Sequence, residues 1–117
     1  MQRLFNLFKF KKQQPEEVLN ILVIIKMKPE FRQEVWEMMK TAPEGIALTK
    51  AAKGCLSVEG RLSDDDEETM IFWGKWASQE DHDAYMKMRM DSGFMDKMKP
   101  KMSAEPVFMH LSKDCIV

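Results

Sequence analysis

"VLNILVIIKMKPEFRQEVWEMMK" (residues 18–40) decides the fold. Residues 18–28 are rich in β-branched side chains and almost continuously apolar, the pattern of a strand buried on both faces rather than one at a sheet edge. Residues 29–40 place Pro29 at a first helical position, acids early at Glu30 and Glu34, and Phe31, Val35, Trp36, Met38 and Met39 at helical spacing. Pro43 interrupts this helix, and "EGIALTKAAKG" resumes it as a shorter turn closed by Gly54. "CLSVEGRLS" alternates apolar and polar positions, and "ETMIFWGKW" returns as a second strand after the acidic turn "DDDEE", so the two form a hairpin. The acidic run, residues 64–68, reads as a solvated turn, because it lacks flanking ligands in register for a metal ion.

Downstream, Ser78 with Asp81 three residues on is a capping signature for a helix that runs through Tyr85 toward Met90. Asp91, Ser92 and Gly93 break it, "FMDKMKP" adds a further helical stretch ending at Pro100, and a last strand spans Val107–Leu111. The order β-α-β-β-α-β predicts an α+β, ferredoxin-like domain with an antiparallel sheet.

A chain of 117 residues fits one domain, expected over residues 17–117 and preceded by a basic, aromatic extension at residues 1–16. That extension carries Arg3, Lys9, Lys11 and Lys12 among Leu4, Phe5, Leu7, Phe8 and Phe10. It reads as a cover for an apolar patch on the domain or a partner subunit, with membrane-surface contact of residues 1–12 the weaker alternative and an organelle-targeting role left open. A net charge of -1 gives no electrostatic footprint for a phosphate backbone, so nucleic acid is not an expected partner. Cys55 and Cys115 lie far apart without ligand spacing, which argues against a disulfide scaffold or metal site and for reduced thiols in the cytoplasm. No apolar run approaches the roughly 20 residues of a membrane span.

The chain resembles the antibiotic biosynthesis monooxygenase domains of the dimeric α/β-barrel superfamily. The resemblance rests on "ILVIIKMKPEF", on "KGCLSVEGRLS", and on "IFWGKWASQEDHDAYM", a strand ending in Trp followed by a short polar cap and a helix. It implies a homodimer in which two open sheet faces pack into a barrel. The residues agree, since the run from Ile21 to Ile25 is apolar on both faces while the few helices cover only one. It further implies a ligand pocket between sheet and helices and, in oxygenase members, a chemistry without metal or bound flavin. There a deprotonated quinol or polycyclic phenol itself reduces dioxygen, and the protein desolvates and orients the ring.

Four side chains are candidates for catalysis: Trp76, His82, Tyr85 and Arg89. Trp76 either presents its indole N–H to the pocket or packs under the next helix. His82 is either a base or a solvated first-turn residue, and Arg89 shares a helix face with Tyr85. Asn20, Trp73, Met86, Phe94 and His110 are candidates to line the ligand site, although Asn20 and His110 read first as strand-end groups at the surface, and Trp73, three residues before Trp76, points to the opposite sheet face and suits a dimer interface. The haem-degrading branch of the superfamily is a poor match: aligned from Trp76, Tyr85 falls where that branch has a Trp, and Met98 or a neighbour falls at its axial His. The twelve methionines do not suggest a copper site, because Met88 is rotated about 200° from Met86 on a helix. Two functions follow: a cofactor-independent monooxygenase of a quinol or polycyclic phenol, or a non-catalytic dimeric module binding a small apolar ligand or a protein partner.

Overall fold

The computed structural model describes residues 18–117, so the expectations for residues 1–16 lie outside the described residues. Four strands, β1 (Leu19–Lys26), β2 (Cys55–Leu62), β3 (Thr69–Trp76) and β4 (Val107–Leu111), form one antiparallel sheet in the order β2-β3-β1-β4. The helices are α1 (Pro29–Thr41), α2 (Ile46–Ala51), α3 (Gln79–Asp91) and α4 (Phe94–Met98), the last running into a 3-10 turn at Lys99–Lys101. This is the expected α+β, ferredoxin-like arrangement, and the apolar opening strand is indeed interior, between β3 and β4.

Local chemistry explains the boundaries. Pro29 opens α1, where its missing N–H costs nothing. Ser78 caps α3 by accepting a hydrogen bond from the Asp81 N–H at 3.1 Å. Gly54 closes the turn after α2 with φ of 83°, a left-handed conformation, and a Cβ there would lie 2.3 Å from an Asp81 carboxylate oxygen. The acidic turn between β2 and β3 is held by its own groups: Asp66 Oδ1 accepts from the Glu68 and Thr69 N–H groups, each at 2.7 Å. These bonds hold the Asp66 carboxyl below the usual range. Arg32, from α1, donates to the carbonyls of Ser63, Asp66 and Thr69 at 2.8–3.1 Å and ties the turn to the helix.

The two sheet faces differ sharply. On the helix side, Met27, Val35, Met70 and Phe72 form the buried core, and Ile21 and Trp76 extend it. On the other side the pairing register aligns two apolar rows across three strands: Met109–Leu22–Trp73 and Val107–Ile24–Ile71. Trp73, Val107 and Met109 are exposed there. The rows end at β2 in Glu59 and Arg61, which pair with each other at 3.3 Å.

Candidate functional site

A cavity with a free volume of about 120 Å³ lies between the helix-side sheet face and α3. Its walls are mostly aliphatic and aromatic, and its polar groups gather at one end: Thr49, His82, Tyr85 and Arg89, with Trp76 beside them. Each is positioned for an identifiable reason. Trp76 is the last residue of β3 and is buried. Its indole Nε1 lies so close over Gly74 that a Cβ there would sit 2.9 Å away, so glycine makes room for the ring. His82 and Tyr85 come from successive turns of α3 and pack on that indole, with ring centroids 5.2 and 5.0 Å from it.

Arg89 organises the polar end. It is only 3% exposed, and none of the ion pairs among the described residues involves it. A buried cation needs compensation, and here it comes from dipoles and π-electrons. The guanidinium donates to the carbonyls of Glu44 and of Gly45 (2.9 Å), to Thr49 Oγ1 (3.1 Å) and, through Nε, to the Tyr85 hydroxyl oxygen (2.8 Å). Its carbon also lies 4.4 Å from the Phe94 ring centroid. The Thr49 and Tyr85 hydroxyls are 2.7 Å apart. Arginine only donates, so both oxygens accept from it. One hydroxyl donates to the other, and the second proton is left over to point elsewhere.

His82 contributes a different property. It is 7% exposed, and its buried Nδ1 has no hydrogen-bond partner among the described residues. Burial holds the imidazole below its usual range, with His110 pushing the same way and Asp83 opposing. At neutral pH it is an uncharged ring, and a neutral imidazole has one nitrogen able to accept a proton.

The structure brings Trp76, His82, Tyr85, Arg89, Met86 and Phe94 together around one cavity. Three other residues from the sequence reading do not line it. Asn20 and Trp73 alternate with Ile21, Phe72 and Gly74 and stand on the far sheet face, Trp73 43% exposed. His110 is exposed on β4, where Phe108 and Pro106 form the cavity wall instead. Thr49 and the Glu44 and Gly45 carbonyls were missed. A lone Thr in the apolar stretch "IALTKA" was the only trace of them in the sequence.

Among the described residues there is no cluster of three or more His, Cys, Asp or Glu that could hold a metal, and no helix long and apolar enough to cross a membrane.

Fold and site together define a ferredoxin-like α+β domain with a mostly apolar cavity between sheet and helices, and sequence comparison places that fold in a family. Residues 19–90 match the model of the antibiotic biosynthesis monooxygenase family, more than half of the 117 residues, and the chain belongs to that family. No curated protein matches it. Among solved structures it is similar to a conserved protein from Methanosarcina mazei, with a TM-score of 0.72 at 16% identity, covering 86% of this chain and 97% of that one. A structure described as an antibiotic biosynthesis monooxygenase gives 0.66 at 14% identity, covering 85% and 99%. A protein from Mycobacterium tuberculosis gives 0.66 at 13%, covering 82% and 94%. At such identities these likenesses concern the fold alone.

Proposed function

We infer that the cavity binds a hydroxylated aromatic, a quinol or phenol, and promotes its oxidation by dioxygen without a resident cofactor. The carrying observation is the buried Arg89–Tyr85–Thr49 cluster, a cation that has no carboxylate partner among the described residues, at the end of an apolar cavity. Such a cluster favours negative charge developing on a substrate oxygen next to it. His82 takes the hydroxyl proton and the Tyr85–Thr49 pair donates to the oxygen. Arg89, its donors largely occupied, acts through Tyr85 and Thr49 as a positioning residue. In an anthrone-type substrate, the CH₂ then becomes C=O, with one oxygen atom of O₂ retained and the other leaving as water. All the electrons come from the substrate.

Size refines the substrate. An apolar void of about 150 Å³ accepts benzene, so about 120 Å³ encloses one ring. A polycyclic phenol extends outward past Met86 and Phe108 into the adjoining surface groove, which shares those residues. The test is oxygen uptake by the protein with hydroquinones and anthrones. We expect uptake above the spontaneous rate, falling about 100-fold in Tyr85→Phe as a transition-state donor is lost. No uptake across the panel points instead to a non-catalytic binding module.

The same reading includes a homodimer. The apolar rows around Leu22, Trp73 and Met109 offer a surface for a second copy, and the family resemblance implies such pairing. In sedimentation, Trp73→Glu should shift dimer to monomer; a wild-type monomer at micromolar concentration would refute the pairing. A cytoplasmic location belongs to this proposal too, supported by two free cysteines.

A further inference from the structure

Behind the main cavity lies a second, with a free volume of about 50 Å³. The two share the wall residues Ile25, Met39, Phe72, Phe94 and Met95. Beyond that wall, among the described residues, stand Val35 and four more methionines, so each described side chain of the lining is apolar. Such a lining gives water none of the partners it needs and surrounds an aliphatic group with dispersion contacts. The separating side chains include Met39 and Met95, unbranched thioethers with three rotatable bonds that re-pack readily. Phe94 marks the orientation: it lies against the Arg89 guanidinium and also lines the rear cavity. A ring held in the main cavity with its hydroxyl at Tyr85 therefore has the methionine cavity across a shared wall.

We propose that the rear cavity is a subsite for a short aliphatic substituent, and that the ligand is an alkyl-substituted phenol or hydroquinone with its oxygen at Tyr85 and its alkyl group among the methionines. The proposal rests on the reading of the main cavity as a phenol site, and it adds a substrate class. The rear cavity has about a third of the volume that takes benzene, which fits two or three carbons. Each buried methylene is worth about fourfold in affinity, so chain length is read as a series of steps that stops when the space is full.

The test is calorimetric titration of the full chain with phenol and its 2- and 4-alkyl derivatives from methyl to butyl, with oxygen uptake followed in parallel on the matching hydroquinones. Affinity should rise about fourfold per carbon to the second or third carbon and then level or fall. Val35→Ile adds a methylene to a residue that lines the rear cavity alone, and should bring the plateau one carbon earlier while leaving phenol itself unchanged. Met98→Ala, on the same wall, should move the plateau outward. A series with no dependence on chain length, or variants that shift every member equally, overturns the subsite. Stepwise affinity without oxygen uptake keeps the subsite and sinks the oxygenase reading. Uptake with a flat series does the reverse, and no binding by any member sinks both.

Discussion

At one end of the space between sheet and helices, a guanidinium, a phenol, an imidazole and an indole are fixed by hydrogen bonds of 2.7–3.1 Å and by ring contacts. At the other end, methionines fill the same layer around Phe72 and Val35. The helices reflect this division. In α1 an apolar stripe faces the sheet and Val35 is buried, whereas α3 buries His82 and Arg89 and has hardly any stripe. Stability at the methionine end comes from volume, which tolerates rearrangement. At the polar end it comes from paired donors and acceptors, each of which is costly to leave alone.

Truncation should separate the two ends. Met70 is 1% exposed, and Met70→Ala should cost about 3–4 kcal/mol in urea unfolding through the cavity it leaves, with phenol affinity within twofold of wild type. Met70→Leu, which conserves volume, should cost under about 1.5 kcal/mol. If the alanine variant instead abolished phenol binding, the two ends would not be independent. Arg89→Met should cost about 2–3 kcal/mol by stranding the Glu44 and Gly45 carbonyls and Thr49, and should lose ligand binding as well. Arg89→Lys keeps the charge without the planar fork, so it should recover only part of either property.

The smallest effect is in the pH dependence. Burial lowers the His82 pKa in the fold, so on acidification the unfolded chain takes up the proton first. This contribution to stability is complete above the ordinary histidine value near 6.5. It declines as the pH falls below that value, and stops declining once the folded imidazole is protonated too. Unfolding curves from pH 8 to 5 should fall more steeply for wild type than for His82→Phe; parallel curves would mean that the imidazole is not held neutral by the site.

Most of the fold was legible because strand and helix periods are local properties. Pro29, Ser78 and Gly54 punctuate the chain where their own backbone chemistry requires. The Tyr85–Arg89 pairing was legible for the same reason, since residues four apart share a helix face. The partners from α2 and the turn before it were not. Thr49 and the Glu44 and Gly45 carbonyls reach Arg89 across about 40 residues of chain, and no spacing rule spans that distance. Asn20 stayed open between surface and cavity for a subtler reason: a strand that is apolar on both faces does not reveal which parity meets the helices, and one residue of register decides it.

Strand order also sets the sequence of events as the chain is made. β1 emerges first, yet its partners come late: Leu19 pairs with Trp76, and Asn20 with Leu111, 91 residues on (111 − 20). Translation at about 5–20 residues per second keeps this apolar strand waiting roughly 5–20 s for its last neighbour. The β2–β3 hairpin, whose strands are joined by a short turn, closes its contacts locally and can form in that interval. The strand that most needs burial is thus the last to be fully paired, and during synthesis it is the segment most in need of a chaperone.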